Sequence, residues 1–335
     1  MKPKVLVDAH AFALEVDRER LGRIAEIVAV EGNLSEDELI EVLVGCRGLI
    51  RLGGRIPELS PAVFAGAPDL EIAGVTGDRF GTGIDLEVAW KYGVKVVDTD
   101  NIASAAPVAE WDLALMLLCL RNGAAVYRQM LEGSERWAQA GNDDYVNGEL
   151  TGKKIGLIGC GHVGQRLVEL LVPFRVDLRV ADPYLPAELA GELGIVQGEL
   201  EEVLAHAEIL VVQVPHTPKT EKMIGARELD LLGRGRILIN CSRGPVIDYV
   251  ELTRRLEAGE LIAGLDVFDP EPLPKESRLR HLPNVFISPH IAWYAPAGFR
   301  RYFSIMVDEF ERFFNGQELR FELTRRMVDI RHGRI

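Results

Sequence analysis

The stretch from Lys153 to Asp182, KKIGLIGCGHVGQRLVELLVPFRVDLRVAD, constrains this chain more than any other. Ile155 to Ile158 is a short apolar run with one glycine, the pattern of a strand buried on both faces of a parallel sheet. Gly159, Gly161 and Gly164 follow as G-x-G-x-x-G. Val163, Leu167, Leu170 and Leu171 then recur at helical spacing, and Leu178 to Ala181 is a second strand closed by Asp182. This order is what a dinucleotide site requires. A glycine at 159 permits the tight turn, one at 161 lets the backbone approach a pyrophosphate, and one at 164 lets helix and strand pack closely. The unpaired N–H groups and the positive dipole end of the helix hold the phosphates. A carboxylate at the second strand's end accepts hydrogen bonds from ribose hydroxyls.

In a chain with 33 glycines, a bare G-x-G-x-x-G is a weak signal, and a glycine-rich structural turn is the alternative. Here a strand precedes it, a helix follows, and Asp182 comes 18 residues after Gly164. A carboxylate at 182 repels a 2′-phosphate, and Pro183-Tyr184 offer no arginine to receive one. NAD is therefore expected rather than NADP.

The remainder of the 335 residues is enough for a second domain. The net charge of −13 argues against nucleic acid or an anionic membrane surface as a partner, and plain solubility accounts for it as well. Cys46, Cys119, Cys160 and Cys241 are far apart, with no C-x-x-C, so neither a disulfide framework nor a metal site is expected. They fit a reducing cytoplasm. The start, MKPKVLVDAHAF, lacks the apolar core of a signal peptide, and the apolar run Leu113 to Leu120 is too short to span a bilayer.

Before the glycine motif, Lys4 to Val7, Gly48 to Leu52, Leu70 to Val75 and Val94 to Val97 read as strands. Arg18 to Val30 has helical spacing, Ser35 and Glu38 form a capping box for a helix through Val44, and Asp85 to Tyr92 is a helix. This βαβα series predicts a first parallel sheet, without a glycine motif after its first strand. Pro107 to Asn122 reads as a long apolar helix, buried between domains or at a subunit contact, with Pro107 in its first turn. After the motif, Ile209 to Val214, Arg236 to Asn240, Ile262 to Val267 and Asn284 to Ser288 read as strands, and Leu252 to Ala258 as a helix. The amphipathic segment Arg300 to Phe314 comes after the last strand and is expected to return to the first domain. The basic tail, RRMVDIRHGRI, is expected to be partly mobile. The expected fold is α/β, with two Rossmann-like domains and parallel sheets. A discontinuous, flavodoxin-like substrate domain takes residues 1–103 plus 295–335, an NAD-binding domain takes residues 104–294, and the active site lies in the cleft between them.

Ligands in open α/β sheets sit outside the carboxyl ends of the strands. Arg243, Glu271 and His290 each follow a predicted strand by a few residues. Arg243 offers a forked, permanently charged donor for a carboxylate. His290 can give or take a proton near neutral pH, and Glu271 can hold the imidazole's other nitrogen. Beside a hydride carrier, these groups could interconvert a 2-keto acid and a 2-hydroxy acid. Taken singly, each has a plainer reading: a structural histidine, an Arg-Gly turn, and a solvated acid among prolines.

The motifs GTGIDLEVAWKYGVKV, PVAE, LTGKKIGLIGCGHVG, PHTPKT, INCSRGPVID, AGLDVFDPEP and SPHIAWY occur in an order that resembles the D-isomer-specific 2-hydroxyacid dehydrogenase family over nearly the whole chain. The family includes phosphoglycerate, hydroxypyruvate and formate dehydrogenases and the C-terminal binding protein corepressors. The resemblance implies that Arg243 binds the substrate carboxylate, that His290 is the proton donor and that Glu271 is its paired acid. It places His162 and Val163, between the second and third glycines, and Pro215, in PHTPKT, at the cofactor. It also places Asp266 near the nicotinamide carboxamide and Cys241-Ser242 under that ring. Arg51, Gly53, Gly54 and Gly77 align with loops that meet the substrate carboxylate. A two-fold dimer is implied, built on the helix from Pro107 and the segment with Trp137. Glu271 stands where formate dehydrogenase has a glutamine, which argues against that enzyme. DPYL (Asp182 to Leu185) and HIAWY lean toward the corepressor-like branch, so an NAD(H)-sensing binding protein with little or no turnover is the alternative to an enzyme.

Overall fold

The computed structural model describes residues 2–9, 15–76, 83–135, 137 and 148–334. The chain folds as two compact units, Met1–Ser104 with Ala295–Ile335, and Ala105–Tyr294.

In the first unit, β1 (Lys4–Asp8), α1 (Glu15–Ile24), β2 (Glu26–Ala29), α2 (Glu36–Leu43), β3 (Cys46–Arg51), α3 (Pro61–Gly66), β4 (Ile72–Val75), α4 (Leu86–Lys91) and β5 (Lys95–Asp98) alternate, followed by the short α5 (Asp100–Ala103). The strands form a five-stranded parallel sheet in the order β2-β1-β3-β4-β5, the flavodoxin-like order. Parallel neighbours need long crossovers, which the helices supply. Alternate residues bury opposite faces. Leu6, Leu49, Ala73 and Val96 pack with Leu39, Leu43 and Phe64, while Val5, Val7, Ile50, Ile72 and Val97 pack with Phe303, Met306 and Phe310. Ser35 caps α2 as expected: its hydroxyl accepts the Glu38 N–H, and the Glu38 carboxylate accepts the Ser35 N–H at 2.8 Å.

The second unit opens with α6 (Ala105–Leu120) and α7 (Gly123–Glu132). It continues through β6 (Lys154–Ile158), α8 (His162–Leu171), β7 (Asp177–Ala181), α9 (Ala187–Glu192), β8 (Val196–Gln197), α10 (Leu200–His206) and β9 (Ile209–Val212). It ends with α11 (Ala226–Leu232), β10 (Arg236–Asn240), α12 (Tyr249–Glu257), β11 (Leu261–Leu265) and β12 (Val285–Ile287). The seven-stranded parallel sheet runs β12-β11-β10-β9-β6-β7-β8. Counted from β6, this is the dinucleotide-fold order with one further strand, and its direction of winding reverses between β6 and β9. Leu115, Met116 and Cys119 of α6 pack with Leu167 and Leu171 of α8 in the core under one face.

The chain then returns to the first unit as α13 (Pro296–Phe314). Two glycines let it lie on the sheet. A Cβ at Gly74 would sit 2.2 Å from Met306 Sδ, and one at Gly48 would sit 2.8 Å from the Phe310 ring.

One expectation is corrected. The helix over residues 18–30 ends at Ile24, and Glu26–Ala29 is an edge strand. Ile27 and Val28 are β-branched, so they lose little by extending, and they gain a parallel ladder with Val5 and Leu6. The basic tail holds α14 (Arg325–Arg331): Thr324 caps it by accepting the Met327 N–H, and Arg325 pairs with Glu87 at 2.7 Å. Among the described residues, no helix is long and apolar enough to cross a membrane.

Candidate active site

The glycine turn leaves β6 where the strand order reverses, the crevice that open α/β sheets use for ligands. Gly159 has φ 88°, and a Cβ there would lie 2.5 Å from the Gln213 carbonyl oxygen, so only glycine fits. A Cβ at Gly164 would lie 2.6 Å from the Gly159 carbonyl oxygen, which is the close helix-to-strand approach expected of the third glycine. Gly161 is different. Its φ of −73° suits any residue, and a Cβ there would meet nothing within 4 Å. It is the N-cap of α8, has no side-chain cap, and is followed by His162 and Val163 in the first turn. Open space over a helix N-terminus is the cradle a pyrophosphate needs.

Asp182 is aimed at the same turn. Its Oδ2 accepts the Cys160 N–H at 2.8 Å and its Oδ1 accepts the Tyr184 N–H at 2.9 Å. Each oxygen retains a lone pair for a ribose hydroxyl. Pro215 follows β9 in a turn closed by Thr220, whose hydroxyl donates to the Pro215 carbonyl at 2.6 Å. These residues fit a dinucleotide.

The carboxyl ends of β10, β11 and β12 carry the polar groups. Asn240 organises the turn after β10: its Oδ1 accepts the Ser242 N–H at 3.0 Å, and its Nδ2 donates to the Arg243 carbonyl at 3.0 Å. Gly244 must follow, because a Cβ there would lie 1.8 Å from the Phe268 carbonyl oxygen. Arg243 is half-buried, and one guanidinium N–H donates to the Ser242 carbonyl. Cys241 is buried, which keeps its thiol well above the usual range and makes it a poor nucleophile.

Asp266 is fully buried, and burial raises its carboxyl above the usual range. It accepts the Ser288 hydroxyl at 2.5 Å and the N–H groups of Ile291 and Ala292 at 3.0 and 2.9 Å. Its own carbonyl accepts the His290 N–H at 2.8 Å. Asp266 thus anchors the segment that carries His290. That anchoring matters because His290 has φ 54°, a left-handed conformation costing about 1–3 kcal/mol for a residue with a Cβ. His290 Nδ1 meets Glu271 Oε1, and Glu271 Oε2 accepts the Phe268 N–H at 3.4 Å. With Nδ1 engaged, Nε2 is the ring nitrogen presented for proton exchange. The pair borders a pocket of about 560 Å³ lined mainly by Phe268, Pro272, Leu273 and Ile287.

In the first unit, Arg51 ends β3, and its Nε donates to the carbonyls of Ile56 and Pro57 at 3.2 Å. Burial lowers its guanidinium from the ordinary arginine value. Gly53 and Gly54 follow it. Gly54 has φ 82°, and a Cβ at Gly53 would lie 2.0 Å from Asp8 Oδ1. Gly77, and Asp78 beside it, lie outside the described residues.

Sequence reasoning missed two buried acids. Asp8, at the carboxyl end of β1, accepts the N–H groups of Arg55 and Ile56 at 2.8 and 3.3 Å and so shapes the Gly53-Gly54 loop. The rule that singled out Arg243, Glu271 and His290 at strand ends would have found it. Asp112, on the apolar α6, accepts the Gln213 amide at 2.6 Å. The only sign of it in the sequence is a pair of acids, Glu110 and Asp112, on an otherwise apolar helix. The neighbouring Trp111 indole donates to Ser288 at 3.0 Å, so α6 reaches the ends of two strands.

Residues 113–292, more than half of the chain, match the model of the NAD binding domain of D-isomer specific 2-hydroxyacid dehydrogenases. The chain belongs to this family. The D-3-phosphoglycerate dehydrogenase of Methanocaldococcus jannaschii is 32% identical over 294 residues, 86% of this chain and 53% of that protein. This chain therefore spans about half the length of that relative. The glyoxylate/hydroxypyruvate reductase B of Yersinia enterocolitica is 32% identical over 282 residues, 82% of this chain and 83% of that protein. Among solved structures, a phosphoglycerate oxidoreductase from Rhizobium etli superposes with a TM-score of 0.83 at 26% identity, covering 97% of this chain and 99% of that one. The second unit of this 2-hydroxyacid dehydrogenase family member is its NAD binding domain, and the family's cofactor is NAD.

Proposed function

We propose that the chain interconverts a 2-keto acid and a D-2-hydroxy acid with NAD as the hydride carrier. The observation that carries this reading is the Glu271–His290 pair on the carboxyl side of an NAD-binding sheet. The cofactor supplies a hydride to the keto carbon in the direction of reduction. Arg243 holds the substrate carboxylate through its fork of donors. Glu271 stabilises His290 as the charged imidazolium, whose Nε2 gives its proton to the keto oxygen as that oxygen gains charge, leaving a neutral imidazole. Asp182 holds the adenosine ribose and, with the 159–164 turn, selects NAD.

The same reading places the protein in the reducing cytoplasm, consistent with four buried free cysteines. It also makes the protein a homodimer. The described part of α7 buries none of its residues and, with the segment after it, exposes Tyr127, Met130, Leu131 (71%) and Trp137 (74%). Sedimentation as a monomer at micromolar concentration would remove the dimer from this account.

The enzymatic reading is tested with NADH or NADPH and a panel of glyoxylate, pyruvate, hydroxypyruvate and bulkier 2-keto acids. NADH should be oxidised with at least one of them, at a kcat/KM at least roughly tenfold above NADPH, and Asp182→Ala should narrow that gap. NADH binding with no turnover across the panel would point instead to an NAD(H)-sensing protein of the corepressor type.

A further inference from the structure

Asp112 has no part in the mechanism above, yet it is the most completely buried acid of α6, at 0% exposure. Its Oδ2 accepts the amide of Gln213, which stands just past β9 and whose carbonyl packs against the glycine turn. The Cys241 thiol, just past β10, lies beside the carboxyl. Asp112 therefore sits behind the ends of β9 and β10, flanking the crevice where the strand order reverses.

We propose that Asp112 discriminates between the two redox states of the cofactor: as a neutral acid it leaves the site indifferent to the charge of the nicotinamide, and as a carboxylate it favours the cationic, oxidised ring over the neutral, reduced one. This rests on NAD binding by the second unit, not on which keto acid is reduced. The chemistry is simple electrostatics. A carboxylate in a poorly screened interior attracts a positive ring through protein far more strongly than through water. Burial pushes the Asp112 acid up to about 8, so its charge changes within the physiological range.

The titratable groups facing it are few. Cys241 follows β10, is buried, and stays a neutral thiol across that range. Asp266 follows β11, and its carboxylate raises the Asp112 acid further. Asp266 is itself offset by His290, beyond β12. Cys119, on α6, is pushed up to about 12 and stays neutral. The residues that α8 buries, Gly164, Leu167, Val168 and Leu171, carry no charge. On α7, Arg128 donates to the carbonyls of Leu282 and Arg280.

The sign follows by linkage. If the carboxylate favours NAD⁺, then NAD⁺ favours the carboxylate, so NAD⁺ binding near pH 8 must expel the Asp112 proton, whereas NADH binding need not. Calorimetric titration of the full chain with NAD⁺ and with NADH, in buffers of different ionisation enthalpy at pH 7.5, reads this directly. The expected result is proton release with NAD⁺ and not with NADH, and a Kd(NAD⁺)/Kd(NADH) ratio that falls roughly tenfold from pH 7 to pH 9. Asp112→Asn, close in shape and permanently neutral, should bind NADH as before and lose both effects. Equal proton release for the two redox states in the unmodified protein would overturn the proposal whether or not the variant folds. So would proton release that persists in Asp112→Asn. Failure of either nucleotide to bind would instead overturn the cofactor assignment.

Discussion

Replacing His290 with asparagine is expected to lower kcat by about a hundred- to ten-thousand-fold while leaving the Kd for NADH nearly unchanged. Asparagine is the better test because position 290 has φ 54°, which asparagine tolerates better than most residues and alanine does not. The N–H bond to the Asp266 carbonyl survives the change, so the loop should keep its course. What is removed is the proton that Nε2 carries and the partner that Glu271 orients. Steady-state kinetics, NADH fluorescence titration and a melting curve together separate loss of chemistry from loss of fold. Unchanged turnover would remove His290 from the reaction.

The second large effect is expected at Gly161. Gly161→Val should fold with a Tm close to the parent's and bind NADH at least about a hundredfold more weakly, a loss of roughly 2.7 kcal/mol. The reason is the contrast within the motif. The backbone at 161 is ordinary and its Cβ would meet only open space, so the substitution strains nothing in the free protein. It fills the space the pyrophosphate must enter. Gly159→Val should lose both stability and binding, because φ is 88° and the Gln213 carbonyl stands 2.5 Å from the new Cβ. Parent-like NADH affinity in Gly161→Val, measured by fluorescence titration, would mean that the phosphates lie elsewhere.

What was legible in the sequence was whatever the backbone forces on particular residue types. The glycines at 159, 161 and 164, the acid at 182 and the Ser35–Glu38 cap each answer a local geometric demand, and local demands leave local signals. Glu271 and His290, 19 residues apart, were legible because each follows a strand and their chemistries are complementary. Short or tertiary features were not. The edge strand Glu26–Ala29 continues the helical spacing of the residues before it, and only its ladder with β1 makes it a strand. The helix α14 depends on Thr324 and on an ion pair to distant Glu87. The burial of Asp112 was not legible, because nothing nearby in sequence reveals that Gln213 and Cys241 lie against it. The anchoring by Asp266 of Ser288 and the segment after it was not legible either, because those partners are 22 to 26 residues away in sequence.

The most direct test of the central claim is the fate of a deuterium label. Reduction of an active 2-keto acid with NADH carrying deuterium at C4 of the nicotinamide, followed by chiral chromatography and mass spectrometry of the product, reports both hydride transfer and its stereochemistry. The account predicts a D-2-hydroxy acid with one deuterium at C2, from whichever of the two labelled C4 epimers the enzyme uses. An unlabelled C2 from both epimers, or an L product, would contradict it.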